Sequence, residues 1–293
     1  MMASMVYLNL IVSGFFYFLA SFLYISSFFR SDSRWETKGF ACIRIGFLGA
    51  SVFLGLEAWK HGFAFPILNF SHVIAFFSWA LAFLYLIPLM RLQTQSFGLI
   101  LAPILFVLNL AAVLHAGDAT YRLEVSLYFA LHIIFAFFAY AAFTLSFTAA
   151  LLYLIQHREL KKRHPGAFYH KLPNLDALDS LSYIPMALGA ALLACAVVVG
   201  LFWAKDTYGY YWLNDPKTWL TLITLALYCF LIALRFGAQT RKSRLALMGL
   251  LIFVFMILSF VGGRYMNGKH SMVLTETQSS NAFALQAQSK RTP

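Results

Sequence analysis

Residues 126–156, SLYFALHIIFAFFAYAAFTLSFTAALLYLIQ, decide the fold of this chain because they form an apolar run of membrane-spanning length. A helix needs roughly 20 such residues to cross the hydrocarbon core of a bilayer. The run contains no Asp, Glu, Lys or Arg, and its one histidine is His132. The segment therefore predicts a transmembrane helix that carries a histidine within the span.

Seven further runs of similar character occur along the chain. They cover residues 5–29, 39–58, 70–90, 97–115, 181–203, 218–235 and 245–263. Overall, 61% of the residues are hydrophobic and 11% are charged, against about 45–50% and about 25% in soluble domains. A membrane β-barrel would instead show short segments of alternating hydrophobicity. We expect an all-α polytopic membrane protein, a bundle of about eight transmembrane helices.

Lys and Arg are divided unevenly between the two sets of connections. Thirteen lie in the set that includes Arg30, residues 157–164 and Arg235, and six lie in the other set. Because cytoplasmic loops are enriched in basic residues, the first set is expected in the cytoplasm, with both termini outside. The net charge of +11 therefore needs no nucleic-acid partner, and the cluster HRELKKRH at 157–164 also suits the anionic heads of the lipid bilayer.

The chain divides into one membrane domain, residues 1–271, and a tail, residues 272–293. The tail contains TETQSSNAFALQAQSKRTP, which has little to bury and is expected to be disordered. The cysteines, Cys42, Cys195 and Cys229, all lie in predicted spans, and the sequence has no CxxC and no CxxCH. That pattern excludes a thiol-disulfide enzyme and a c-type cytochrome.

Five histidines map to the outer side: His61, His72, His115, His132 and His270. His132 is the most informative of them, because ionisable groups inside a hydrocarbon span are rare and usually functional. The alternative is a histidine hydrogen-bonded to a neighbouring helix. Whether His61, His72 and His115 form a second outer site or only hydrate the interface stays open.

An aromatic segment, YGYYWLNDPKTW at 208–219, lies on the same side between two predicted spans. Its rings suit a large planar ligand, and nearby basic residues suit the carboxylates of that ligand. Tyr and Trp are also enriched at membrane interfaces because their amphipathic rings suit the level of the headgroups, and this is the simpler interpretation. Together with two outer histidines, which are common ligands of haem iron, the segment indicates haem.

Four stretches in the same order resemble a known family. YGYYWLNDPKTW at 208–219 resembles its tryptophan-rich loop WGxYWxWDPKETW, although it is one residue shorter and has Tyr208 and Asn214 in place of tryptophans. HIIFAFFAYAAF at 132–143, LPNLDALDSLSY at 172–183 and GKHS at 268–271 are similar to the flanking motifs. The family is that of cytochrome c assembly, haem-handling membrane proteins of the CcsA and CcmC type, and the departures resemble its shorter HemX-like and YpjD-like branch.

This resemblance implies a protein of a bacterial-type inner (plasma) membrane that holds or delivers haem b transiently at the outer face for cytochrome c maturation. His132 and His270 would be the axial ligands of the iron, and Asp215 would order the loop. The remaining implied contacts are of two kinds. The aromatic rings that would pack on the porphyrin are Tyr208, Tyr211, Trp212 and Trp219, and the cations that would pair with its propionates are Lys217 and Arg264.

The implied partners are haem and either a cytochrome c synthase subunit or apocytochrome c. Enzymatic activity stays open, and a haem-handling subunit is favoured over an enzyme that acts by itself. One alternative is a non-catalytic HemX-like regulatory or scaffold protein of tetrapyrrole metabolism. A small-molecule transporter is disfavoured, because the polar groups cluster at one face rather than around a midplane site.

Overall fold

The computed structural model describes residues 2–30, 32–61, 69–87, 97–116, 126–161, 172–209, 211, 215–237 and 240–262. Within these ranges the chain forms eight α-helices and no strand. They are α1 (Met2–Arg30), α2 (Ser33–His61), α3 (Phe70–Leu86), α4 (Gly98–Leu114), α5 (Leu127–Glu159), α6 (Leu175–Tyr208), α7 (Pro216–Gly237) and α8 (Lys242–Gly262). This confirms the all-α bundle that the apolar runs predict. The tail 272–293 lies outside the described residues.

Six of these helices, α1, α2 and α5 to α8, are long and apolar enough to cross a membrane. The other two, α3 and α4, have 17 residues each, or about 25 Å of helix. Many large apolar side chains remain exposed on the outside of the bundle, among them Phe15, Leu48 and Val107. Lipid tails are as apolar as these side chains, so such a surface is expected of a multi-pass membrane protein.

Consecutive helices alternate in direction, which defines two faces of the bundle. The His132 face carries the start of α5, the end of α6 and the start of α7, where Ala196 contacts His132. The Asp179 face carries the start of α6, the end of α7 and the start of α8, where Arg235 and Lys242 contact Asp179.

Capping residues fix the helix ends at the His132 face. The Ser126 side chain accepts a hydrogen bond from the Phe129 amide at the start of α5. Helix α6 ends at Gly209, whose φ of 77° lies in the left-handed region that glycine adopts without strain. Helix α7 begins at Pro216, because proline suits the first position of a helix, and the buried Asp215 carboxylate accepts a hydrogen bond from the Lys217 amide at 2.9 Å.

Candidate functional site

His132 lies in the second turn of α5 and faces α6. Its Nδ1 is 2.7 Å from the carbonyl oxygen of Ala196. Because a carbonyl oxygen can only accept, Nδ1 carries the hydrogen and donates it, which leaves the lone pair on Nε2. Among the described residues, only Ala196 bonds this imidazole, so Nε2 can take a metal ligand position.

The backbone of α6 also shapes the space around this imidazole. A Cβ atom placed on Gly200 would lie 2.6 Å from Nδ1 of His132, well inside van der Waals contact. Gly200 is one turn beyond Ala196 on the same face of the helix, since residues four apart are neighbours. The carbonyl of Ala196 and the absence of a side chain at Gly200 together fix the ring of His132.

A cavity of about 120 Å³ opens beside His132 between α5, α6, α7 and α8. This is far more than a single water needs. Its walls are mainly apolar and aromatic, and they include Phe137, Tyr140, Trp203 and Phe260. Trp203 is held by stacking on Phe129, with ring centroids 4.6 Å apart. Among the described lining residues, Lys217 is the single cation.

The Lys217 side chain gives this cavity its charge. Its Nζ lies 6.0 Å from the centre of the Phe260 ring, and the buried Asp215 carboxylate acts on it electrostatically. An ammonium group among apolar walls is costly to bury unless an anion pairs with it. The cavity therefore suits a ligand that combines an apolar body with a carboxylate.

These residues fit a haem group by their chemistry. Haem iron can take an imidazole nitrogen with a free lone pair as a ligand, and metal-binding histidines commonly donate their other N–H to a backbone carbonyl, as His132 does. The aromatic walls suit the porphyrin ring, and Lys217 suits a propionate.

The structure brings together some of the residues that the sequence singles out, but not all of them. His132 and Lys217 line the same cavity. Tyr211 and Trp219 are exposed and do not line it, although Lys205 Nζ lies 5.3 Å from the Tyr211 ring centre. The remaining predicted contacts lie outside the residues and side chains that are described: Tyr208, Trp212, Arg264 and His270.

His72 is engaged in a different way and is not an open ligand. It is 2% exposed, and its Nε2 is 3.0 Å from a carboxylate oxygen of Glu57. The side-chain oxygen of Asn69 accepts from the His72 amide and faces Nδ1 of the same ring. Because both ring nitrogens face oxygen atoms, neither of them is open to a metal ion.

The other histidines that the sequence assigns to this side do not complete a second site in the described part of the chain. His115 Nδ1 lies 2.9 Å from the carbonyl oxygen of Ala111, and its ring packs edge-on against Phe70. The side chain of His61 is not described. Among the described residues, no group of three or more His, Cys, Asp or Glu side chains could hold a metal ion.

Charged residues form a second polar cluster, at the Asp179 face. Arg235 donates to both oxygens of Asp179, at 2.9 and 2.7 Å, and its guanidinium lies 4.4 Å from the Tyr183 ring centre. Lys242 lies 2.8 Å from Asp176 and 3.3 Å from Asp179. The sequence gives no sign of this cluster, because the two partners of each ion pair lie more than 50 residues apart and meet only when α6, α7 and α8 assemble.

Comparison with known proteins identifies the family. The family described as cytochrome C assembly protein matches residues 67–270, which is more than half of the chain. The chain therefore belongs to this family, as its motifs predict. Family membership supports a role in cytochrome c maturation.

Two relatives named HemX agree with the HemX-like branch that the motifs resemble, and a CcsA protein also matches. Protein HemX of Brevibacillus brevis is 25% identical, over 85% of this chain and 92% of its own length. Protein HemX of Bacillus subtilis (strain 168) is 24% identical, over 83% and 90%. The cytochrome c biogenesis protein CcsA of Guillardia theta is 26% identical, over 79% and 82%.

A solved structure shares the fold. The cytochrome c heme lyase CcmF superposes with a TM-score of 0.64 at 13% identity. The match covers 98% of this chain and 51% of that protein, so this chain spans about half the length of its structural neighbour. At this identity the likeness shows the fold alone.

Proposed function

We propose that this member of the cytochrome C assembly family binds haem b at the His132 face and holds or delivers it for cytochrome c maturation. The observation that carries the proposal is the state of His132. Its Nδ1–H donates to Ala196, its Nε2 is open among the described residues, and it lines a largely apolar cavity. His270 is proposed as the second axial ligand of the iron.

The residues of the chain then have separate tasks. His132 would hold the iron through Nε2, and the hydrogen bond from Nδ1–H to a carbonyl would make the imidazole a stronger donor. Lys217 binds a propionate, and Phe260 and Trp203 exclude water from one edge of the ring. Bound haem supplies the iron porphyrin that a cytochrome c requires.

Further contacts belong to the same proposal. Tyr208, Tyr211, Trp212 and Trp219 would cover the rest of the ring, and Arg264 would pair with the second propionate. The excess of Lys and Arg on the connections of the Asp179 face supports an outer position for the His132 face. In this scheme a synthase partner subunit forms the thioether bonds to apocytochrome c.

Haem reconstitution of the full chain tests this proposal. The purified protein is titrated with haem and followed by its Soret band, for the parent and for His132→Ala and His270→Ala. His115→Ala is the matched control, because this histidine lies at the same face but outside the cavity. We expect the parent and the control to show the band of a six-coordinate haem, and each ligand variant to lose it or shift it.

Two results would contradict the proposal at different levels. A parent protein that shows no Soret band with added haem would refute haem binding. A band that neither histidine substitution changes would refute the ligand assignment while leaving haem binding intact.

A second candidate function follows from the HemX relatives, which align over nearly the full length of both chains. In this alternative the protein is a regulatory or scaffold membrane protein of tetrapyrrole metabolism that does not carry haem. Its deletion would change the amounts of tetrapyrrole-synthesis enzymes, while the purified protein would stay free of haem.

A further inference from the structure

One face of α2 combines cations with apolar side chains, and none of the other described helices covers it. Its exposed residues are Arg34, Lys38, Arg44, Ile45, Leu48 and Val52. At 3.6 residues per turn these positions lie within about 120° of the helix circumference. The cations occupy the half nearer the Asp179 face, and the apolar residues continue from them towards the His132 face.

Arg44 lies about one and a half turns inside the apolar run of α2, which begins at residue 39. It is 11 residues from Ser33, the start of α2, which corresponds to about 16 Å of helix. The neighbouring helix gives the same depth, because Tyr24 of α1 packs against Gly39 and Tyr17 packs against Gly46, on either side of Arg44. A cation on the lipid side at this depth is rare and needs an anionic partner.

The side chains of this face point towards the nearer membrane surface. The guanidinium of Arg44 lies 5.7 Å from the ring centre of Phe40, one turn closer to the Asp179 face. Lys38 Nζ lies 5.3 Å from the ring centre of Trp35, again closer to that face. Long cationic side chains reach the polar headgroups in this way.

The protein itself supplies no counter-ion for these cations in its described part. The ion pairs there involve other side chains, at Glu57, Asp176 and Asp179. Asp32 accepts from the backbone amide of Arg34, and Glu36 accepts from the Ser27 hydroxyl. The face therefore offers a row of cations beside an apolar strip of membrane depth.

We propose that this α2 face binds an anionic phospholipid of the leaflet at the Asp179 face. Arg44 binds its phosphate near the level of Phe40, Lys38 and Arg34 add positive charge nearer the membrane surface, and an acyl chain packs on Ile45, Leu48 and Val52. A lipid fits better than an acidic residue of a partner helix, because the cations point to the headgroup region and not to the middle of the bilayer. Clusters of Lys and Arg at the membrane surface attract anionic headgroups.

Lipid retention by the full chain tests the assignment. The protein is purified in detergent, mixed with phosphatidylglycerol or phosphatidylcholine, and analysed by native mass spectrometry and by its unfolding temperature. The test variant is Arg34→Gln/Lys38→Gln/Arg44→Gln. The control, Arg158→Gln/Arg241→Gln/Arg244→Gln, removes three exposed cations from the same face of the bundle. Inorganic phosphate is a third probe, which separates a lipid headgroup from a free anion.

We expect the parent and the control to retain phosphatidylglycerol over phosphatidylcholine and to be stabilised by it. Each cation removed from the α2 face should weaken this retention about fivefold. If the triple variant does not fold, Arg44→Gln alone should show the single-step loss and Arg44→Lys should restore most of it.

Three outcomes would overturn the proposal. Phosphatidylglycerol could be retained equally by the test and control variants, which would mean general attraction to a basic surface. Inorganic phosphate could stabilise the protein as much as the lipid does, which would indicate a free-anion site. A polypeptide could be co-purified by the parent and lost with Arg44→Gln, which would indicate a partner helix.

Discussion

At the residue scale, the ring of His132 is fixed by one backbone carbonyl and by the absence of a side chain at Gly200. Neither feature has a recognisable signature in a single sequence. A carbonyl is present at every residue, and a glycine inside a helix is compatible with many kinds of packing. The sequence therefore predicts that His132 is functional, but it cannot predict what orients the imidazole.

Replacing Gly200 by alanine tests this orientation. The new methyl group would meet His132 Nδ1 at 2.6 Å, so the ring must turn away from Ala196 or α6 must shift. We expect Gly200→Ala to weaken haem binding about tenfold or more, in the range found when the groups that orient a metal ligand are lost. Haem titration with absorption and electron paramagnetic resonance spectra would measure the affinity and the ligand set.

Gly55→Ala is the matched control for this change. Gly55 is also inside a helix, and a Cβ there would meet nothing within 4 Å. Alanine is the better helix former by about 1 kcal/mol, so this variant should be at least as stable as the parent and should keep its haem spectrum. Equal spectra for the two alanine variants would contradict the proposed role of Gly200.

At the element scale, hydropathy predicts where helices cross the membrane but not where they end. The predicted spans begin at residue 181 for α6 and end at residue 156 for α5, whereas the helices extend to Leu175 and Glu159. The reason is that helical hydrogen bonds continue into the polar interface until a capping residue ends them. For α6 this residue is Asn174, whose side chain accepts from the Ala177 amide at 2.8 Å.

The Asp179 cluster joins the last three helices, and its stability contribution can be measured. Asp179 is buried, and Arg235 binds it through two hydrogen bonds. Asp179→Asn leaves the partly buried guanidinium without its counter-ion. We expect a loss of about 3 kcal/mol in the free energy of unfolding. Denaturant or thermal unfolding in detergent would measure the change, and Asp179→Arg combined with Arg235→Asp should restore part of it.

Asp176→Asn serves as the control for this cluster. Asp176 also binds Lys242, but its side chain is 89% exposed. Exposed ion pairs contribute little, so this variant should unfold at nearly the parent temperature. Equal losses for the two asparagine variants would mean that burial of the Asp179–Arg235 pair is not what stabilises the contact between α6 and α7.

At the scale of the whole molecule, the bundle has two polar ends of different character. The His132 face combines a histidine, a lysine and aromatic walls around a cavity. The Asp179 face has the Asp179–Arg235 and Asp176–Lys242 ion pairs and most of the basic connections. The fold follows from apolar runs that can be counted in the sequence. The proposed site could be predicted only in part, because its walls come from four helices whose pairing a single sequence does not specify.

The orientation of the bundle is the prediction on which the proposed function depends at this scale. Cysteine labelling measures it, in a background where Cys42, Cys195 and Cys229 are replaced by alanine. Asp206→Cys places an exposed thiol at the His132 face, and Lys161→Cys places one at the opposite face. The excess of basic residues predicts that a membrane-impermeant maleimide labels Asp206→Cys in intact cells, and labels Lys161→Cys only after the membrane is opened. The reverse pattern would place the His132 cavity on the cytoplasmic side, and haem held there could not serve cytochrome c maturation at the outer face.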